Sequence, residues 1–267
     1  MMPIRFVLIL LALTPAIGAA RLQAQTDYRN LDQHRPLRTQ DAYAIERYAF
    51  ELVLPYELER ERGADQHIVA PELSYGFARN AQAGVELPFA AVRSAGGTEW
   101  GFAGPRLRLF YNFNTEGPVL PALSLGGRLA LPIGGLAPDD PRVTLMGVAT
   151  RSWGRTRLHL NGEVTLGNAG ARGAAASPDW MVSAAVDRTL LRRSLLLLGE
   201  LSALRVGADE PTEVSAALGV RVQLGPTLVA DAGITRRLTS DAGPDLGLAL
   251  GLSHVFGIAA LMPGVAR

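Results

Sequence analysis

The chain has 267 residues, a formal net charge of +1 and no cysteine. The lack of cysteine excludes a disulfide framework and a thiolate metal site, and the balanced charge argues against a nucleic-acid partner. The sequence contains no HExxH, GxSxG or Walker-type glycine motif, so it gives no indication of an enzyme, a metal or a cofactor. After the first 20 residues, no apolar run approaches the roughly 20 residues that a membrane-spanning helix needs.

The first residues are organised like an export signal. A short basic segment ends at Arg5, an apolar core follows over 6–17, and small residues occupy 18–20. We predict a signal peptide over 1–20, with residue 24 as the latest cleavage point, and export to the outer membrane of a Gram-negative bacterium. An anchor helix is the alternative, but the apolar core is short and Pro15 interrupts it.

The next segment, 21–42, is polar and rich in arginine, and its hydrophobic residues follow neither a helical nor a strand period. We predict a flexible periplasmic segment that leads into the folded part of the chain. The alternative is a short plug that folds into the mouth of a barrel. The sequence does not separate these two interpretations.

From 43 onward the sequence alternates with a period of two, which is the side-chain period of a β-strand. In one clear example the apolar set is Leu158, Leu160, Val164 and Leu166, and the polar set between them is Arg157, His159, Asn161, Glu163 and Thr165. We predict twelve strands, near 44–57, 67–79, 82–93, 99–113, 118–132, 142–152, 156–168, 179–190, 194–206, 212–224, 227–238 and 245–257.

The connections between the predicted strands sort by length. Those after even strands are short, at 79–80, 114–117, 153–155, 191–193 and 225–226. Those after odd strands are longer and more polar, at 58–66, 94–98, 134–140, 168–178, 207–211 and 239–244. Short turns on one rim and long loops on the other are typical of outer-membrane barrels.

A soluble β-sandwich or lipocalin-like barrel would also alternate, but two features favour a membrane barrel. The predicted strands have about 11 to 14 residues, enough to cross a bilayer at a tilt, whereas soluble strands average about five or six. Aromatic residues also cluster near strand ends, as in interfacial girdles. Because backbone groups in hydrocarbon must be paired internally, the sheet must close. The predicted fold is therefore all-β: a closed antiparallel transmembrane β-barrel of about 12 strands, an up-and-down meander over 43–257, with a tail at 258–267.

Four segments carry a resemblance to a known family: FELVLPYELERE (50–61), PELSYGFARNAQAGVELPF (71–89), GPRLRLFYNFN (104–114) and ALSLGGRLALPIGG (122–135). The region 42–257 resembles the outer-membrane barrel family named for the meta-pathway of phenol degradation, whose members are also labelled transporters. The resemblance implies a pore or carrier for small, aromatic or apolar compounds. The chain departs from the usual barrel ending, because about ten residues follow Phe256.

The polar set of the strands predicts a charged lumen. The residues expected to line it are Arg47, Glu51, Glu72, Glu86, Arg106, Arg108, Arg128, Arg157, His159, Glu163, Asp187, Glu200, Arg221 and Asp231. Mixed charges at close quarters predict ion pairs across a narrow or occluded lumen, because a barrel of this size is largely filled by side chains.

The predicted function is passive passage of small solutes, selected by size and charge. The expected partners are outer-membrane lipid, a small-molecule solute and the barrel-assembly machinery; the oligomeric state is left open. One alternative is a structural barrel without transport. Another is a barrel lipid hydrolase or deacylase built around His159, although the nearby serines form no recognisable spacing with it.

Overall fold

The computed structural model describes residues 28–32, 35–167, 179–190, 194–207, 210–239 and 243–262. The predicted signal peptide and the end of the tail lie outside these ranges. Within them, no helix has the length and hydropathy that crossing a lipid bilayer requires. Among the described residues, a 3₁₀ turn at Ala259–Leu261 lies in the predicted tail.

Fifteen extended segments make up the sheet. They are β1 (Ala49–Glu61), β2 (Ala64–Val69), β3 (Glu72–Ala78), β4 (Ala81–Glu86), β5 (Phe89–Ser94), β6 (Gly97–Phe102), β7 (Arg106–Asn114), β8 (Ala122–Ala130), β9 (Arg142–Trp153), β10 (Thr156–Leu166), β11 (Trp180–Leu190), β12 (Leu195–Arg205), β13 (Glu213–Gly225), β14 (Leu228–Arg237) and β15 (Leu246–Gly257).

These segments form twelve barrel strands, because the second, third and fourth strands are each interrupted at a proline. Pro71 separates β2 from β3, Pro88 separates β4 from β5, and Pro105 separates β6 from β7. Proline has no N–H to donate, so it interrupts a strand ladder. The proline carbonyls still accept hydrogen bonds. The Leu87 amide donates to the Pro71 carbonyl and the Ala103 amide to the Pro88 carbonyl, both at 2.8 Å.

The meander closes on itself. The last strand, β15, pairs with β1 in antiparallel register from Ala49 opposite Gly257 to Arg60 opposite Leu246. All other pairings join strands that are neighbours in sequence, and all are antiparallel. The prediction of a closed antiparallel barrel of twelve strands in meander order is confirmed.

The two faces of each strand differ as the alternation predicts. On β10, His159 is fully buried, whereas half of the Leu160 side chain is exposed. In a one-layer barrel the outer face is accessible, so buried side chains point into the lumen. The same alternation of buried charged residues and exposed apolar residues continues on β11, β12 and β13. The predicted parity is therefore confirmed for these strands.

Outward aromatic residues gather near one end of the barrel. The Phe50 ring stacks on Tyr75 at 4.6 Å and on Phe256 at 5.5 Å between ring centroids. Tyr111 and Phe113 make an edge-on contact at 5.2 Å close by along the same rim. These contacts agree with the predicted aromatic girdle. We call this end, which carries the turns at 79–80, 154–155 and 226–227, the short-turn rim, and the other end the long-loop rim.

Three connections differ from the predicted lengths. The predicted loops 58–66 and 94–98 are two-residue turns, at 62–63 and 95–96, because their polar residues continue the strands. Arg60, for example, lies opposite Asp65 in the ladder between β1 and β2. On the short-turn rim, the predicted tight turn 114–117 is a longer connection over 115–121. Polar composition was therefore an imperfect sign of a loop.

Candidate functional site

The lumen contains the chain's own N-terminal segment. Residues 28–32 and 35–46, which we call the plug, lie inside the barrel, and Leu31, Thr39 and Asp41 are almost fully buried there. The sequence predicts a flexible periplasmic segment over 21–42; the described residues of that segment lie inside the barrel, as in the alternative of a plug. The barrel also begins later than residue 43, because its first strand starts at Ala49.

The plug is a hairpin that enters and leaves at the short-turn rim. Its limbs are joined by two hydrogen bonds, from the Asp41 amide to the Leu31 carbonyl at 3.1 Å and from the Leu31 amide to Asp41 Oδ2 at 3.2 Å. Near the start of the hairpin, the Tyr28 hydroxyl bonds to Thr189 at the end of β11. Near its tip, Arg38 reaches Glu213 at the long-loop end of β13. The hairpin therefore fills most of the depth of the lumen.

Four charged groups join the plug to β13 and β14. Arg35 lies 3.1 Å from Asp231 on β14 and 2.5 Å from Asp32 within the plug. Asp32 in turn lies 3.4 Å from Arg221 on β13. Burial alone would raise the pKa of the Asp32 carboxyl, but Arg35 and Arg221 outweigh it and hold that pKa below its ordinary value. Asp32 is therefore a carboxylate between two guanidinium groups.

The tip of the hairpin binds carboxylates of the wall. Arg38 Nη1 donates to Glu213 at 2.8 Å and to the Ser215 hydroxyl at 3.2 Å. The Thr39 amide donates to Glu200 Oε2 at 2.6 Å, and its hydroxyl lies 2.7 Å from Ser183 Oγ. Hydrogen bonds to charged groups are stronger than neutral ones, so the tip is held mainly through Glu213 and Glu200.

Asp41 anchors the second limb to a network on β10 and β11. Arg157 donates to Asp41 at 3.1 Å and to Asp187 at 2.6 Å. His159 places Nε2 2.9 Å from Asp187 Oδ2 and Nδ1 3.0 Å from the Thr150 hydroxyl. Burial raises the pKa of the Asp41 carboxyl, although Arg157 acts in the opposite direction. The network keeps the charges of the wall and the plug in contact with each other.

Uncharged side chains of the wall satisfy the plug backbone. Asn161 accepts from the Gln40 amide and donates to the Gln40 carbonyl, both at 2.9 Å. The Ala42 carbonyl accepts from Asn112 at 2.7 Å and from Ser124 at 2.6 Å, and the Ala42 amide donates to Thr150 at 2.9 Å. These side chains take the place of a strand ladder, because the plug pairs with none of the barrel strands.

Inward glycines make room for the plug. A Cβ added to Gly233 would lie 2.3 Å from the Pro36 carbonyl oxygen, and one added to Gly219 would lie 2.7 Å from the Pro36 ring. At Gly76, an added Cβ would lie 2.2 Å from the Glu46 carbonyl oxygen. Real Cβ atoms essentially never approach that closely, so these positions need glycine while the plug is seated.

The predicted lumen residues point inward with one exception. Arg47 lies before β1, is exposed, and places its guanidinium 4.4 Å from the Tyr48 ring centroid. It is therefore not a lumen residue; the parity was extended past the start of the first strand. The inward residues are Glu51, Glu72, Glu86, Arg106, Arg108, Arg128, Arg157, His159, Glu163, Asp187, Glu200, Arg221 and Asp231.

The ion pairs of the lumen run along the wall or to the plug. Arg106 pairs with Glu86 on the neighbouring strand at 2.7 Å. Arg108 pairs with Glu72 at 2.6 Å, and Arg128 with Glu163 at 3.5 Å, each across one intervening strand. Other pairs join the wall to the plug, which occupies the space between opposite sides of the barrel.

The remaining space in this region is small. A cavity of about 10 Å³ lies between β3, β4, β7, β8, β9 and β10, beside Arg108, Arg128 and Glu163. That volume is about enough for one water molecule. Together with the plug, the side chains around this cavity leave little free space in this part of the lumen.

Sequence reasoning missed part of the site. The residues it did not single out are Gln82, Asn112, Ser124, Thr150, Ser183 and Glu213, and it gave the plug only as an alternative to a flexible segment. One signal was available: glycine recurs at inward positions of adjacent strands, at Gly219, Gly233 and Gly251. Glycine on the wet face of a strand indicates that another backbone approaches closely.

Among solved structures, the chain is similar to outer-membrane channels. It matches the COG4313 outer-membrane channel from Pseudomonas putida F1 with a TM-score of 0.62 and 16% identity, over 81% of this chain and 98% of that one. It matches the KdgM porin with a TM-score of 0.53 and 13% identity, over 76% of this chain and 99% of that one. No protein-family model matches the chain, and no curated protein does. At these identities the likeness establishes the barrel fold.

Proposed function

We propose that this protein is an outer-membrane channel for small solutes and that the plug is its gate. The observation that carries the proposal is the way the plug is held. It bonds to the wall through side chains such as Arg35, Arg38 and Asp41, and it forms no ladder with any strand. The polar contacts can be exchanged for contacts with water one at a time. The plug also packs Leu31 and Leu37 against an apolar part of the wall, and separating these side chains breaks no strand ladder. The plug can therefore leave without breaking the barrel.

The outer face of the barrel supports the membrane location. It carries exposed leucine and valine side chains on strand after strand, such as Leu145, Leu160, Val182 and Leu218. A contiguous apolar surface of this extent on a soluble protein would be covered by a partner or would aggregate. Hydrocarbon is the environment that such a face fits, with the closed sheet satisfying the backbone.

The inner face supports passage of solutes with an apolar part. Near the long-loop rim, Ala90, Ala103 and Leu136 form a buried cluster, and Ile68 and Val92 pack against it. Leu136 belongs to the connection after β8, which folds inward. The lumen thus has an apolar surface between the long-loop rim and the plug. This agrees with the aromatic or apolar compounds that the family resemblance implies.

The test is conductance of the purified protein in a planar bilayer, with and without the plug. The variant lacks residues 28–46, and heat-modifiable migration in detergent gels verifies that its barrel is folded. We expect low, rarely open conductance for the wild type and a steady conductance for the variant. A folded variant that leaves the bilayer sealed would contradict the channel and favour the structural barrel. Swelling of liposomes in small sugars gives an independent measurement of the same passage.

A further inference from the structure

The charges on the outer face have an unequal distribution. Among the strand residues that the structure describes, the outward arginines lie at strand ends: Arg60, Arg93, Arg151, Arg188, Arg205 and Arg236. The outward carboxylate among the same described strand residues is Asp65, which bonds to Arg60 at 2.9 Å. Both borders of the apolar band therefore carry cations. A lipid phosphate is the anion that is present at that height of a membrane.

Two of these arginines belong to the short-turn rim, and they differ in their partners. Arg151 donates to the carbonyls of Gly117, Pro118 and Leu120, so it fixes the connection between β7 and β8. Arg188 donates to the Thr156 hydroxyl at 2.9 Å and is otherwise exposed. Within the described part of the chain, no carboxylate lies within 4.0 Å of Arg188.

Arg188 stands in a row with two other side chains. Thr156 lies opposite Arg188 on one side and opposite Trp153 on the other, so the three residues lie abreast on the outer face. Trp153 is 57% exposed. Arg155 is also exposed and lies in the turn that joins Trp153 to Thr156. Val186 and Leu158 lie directly above the row on the outer face, with Arg151 beside Leu158.

We propose that Trp153, Thr156 and Arg188, with Arg155, bind the phosphate of an anionic phospholipid such as phosphatidylglycerol. The guanidinium can donate two parallel hydrogen bonds to a phosphate, and the bond to Thr156 holds it in place for that contact. Trp153 occupies the interfacial height at which indole rings anchor barrels. The acyl chains then lie on the apolar band above. The proposal rests on the membrane location but not on conduction.

The experiment measures lipid retention on the full mature protein by native mass spectrometry from mixed micelles. Three arms supply phosphatidylglycerol, phosphatidylcholine or inorganic phosphate. The variants are Arg188→Gln, Arg188→Lys and a matched control, Arg62→Gln, which removes an exposed arginine from the opposite rim. We expect the wild type to retain phosphatidylglycerol selectively. Arg188→Gln should lower the apparent affinity for phosphatidylglycerol at least threefold. Arg188→Lys should lower it less, and Arg62→Gln should leave it unchanged.

Equal retention by Arg188→Gln and the wild type would overturn the site. So would equal retention of phosphatidylcholine, or displacement of the lipid by millimolar inorganic phosphate, which would indicate a site for the free anion. Conductance of the same samples separates this proposal from the channel. Arg188 faces away from the lumen, so Arg188→Gln is expected to conduct as the wild type does, whether or not it retains lipid.

Discussion

Arg221 on β13 and Asp231 on β14 lie directly opposite each other in the ladder, yet each makes its ion pair with the plug. Asp32 and Arg35 stand between them as a second pair of opposite sign, bonded to each other at 2.5 Å. The wall thus holds two charges that can bind the plug or bind one another. In the proposed open state, without the plug, neither charge needs to stay unpaired. The proposed open and closed states therefore differ less in free energy than four buried charges would suggest.

Arg35 should therefore control the closed state. In Arg35→Gln, Asp231 loses its guanidinium partner in the closed state and Asp32 keeps only Arg221. In the open state Asp231 can still pair with Arg221. Removing one partner of a buried pair costs roughly 3 kcal/mol or more, which corresponds to about a hundredfold change in the closing equilibrium. We expect the fraction of time open, measured in single-channel records, to rise at least tenfold. Arg62→Gln, which removes an arginine far from the plug, should gate as the wild type; equal gating by both variants would contradict the assignment.

Gly233 offers a steric test that changes no charge. In Gly233→Ala, the added methyl group would meet the Pro36 carbonyl at 2.3 Å, so the plug cannot seat as it does here. The strand itself tolerates alanine, because Gly233 has neither a positive φ nor a place in a turn. We expect a folded barrel with raised conductance. Gly162→Ala is the matched control, since an added Cβ there would meet no atom within 4 Å. An unchanged conductance of Gly233→Ala would show that the plug is not packed at this point.

The absence of cysteine permits a reversible lock between the plug and the wall. The hydroxyls of Thr39 and Ser183 lie 2.7 Å apart, so the pair Thr39→Cys and Ser183→Cys places two thiols in contact while the plug is seated. Oxidation should hold the channel closed, and a reductant should restore its opening. The single variant Ser183→Cys should respond to neither reagent. Openings that persist after complete oxidation, verified by mass spectrometry, would mean that the conducting path lies outside the plug.

The barrel could be predicted from the sequence because its two faces meet different surroundings. Leu160 faces outward and is apolar, whereas its neighbour His159 faces the lumen and is polar. Polarity therefore alternates with a period of two along every strand whose two faces have different surroundings. The plug could not be predicted in this way. Its residues bond through side chains to backbone, as Gln40 does with Asn161, and such contacts impose no period on the sequence. The position of Arg47 could not be predicted for a similar reason. It precedes the first strand, and side chains alternate between two faces only within a paired strand.

The open lumen should prefer cations, because its wall carries more carboxylates than guanidinium groups. The acids at inward strand positions that are buried or half-buried are Glu51, Glu57, Glu59, Glu72, Glu86, Glu163, Asp187, Glu200, Glu213 and Asp231. The corresponding arginines are Arg106, Arg108, Arg128, Arg142, Arg157, Arg221 and Arg237. In the closed state Arg35 and Arg38 of the plug pair with Asp231 and Glu213. The variant without residues 28–46 should therefore show a reversal potential of cation-selective sign in a potassium chloride gradient. Adding Glu213→Gln and Asp231→Asn should reduce that potential towards zero, whereas Glu61→Gln at the exposed tip of β1 should leave it almost unchanged. An anion-selective potential in the variant without the plug would contradict this account of the lumen.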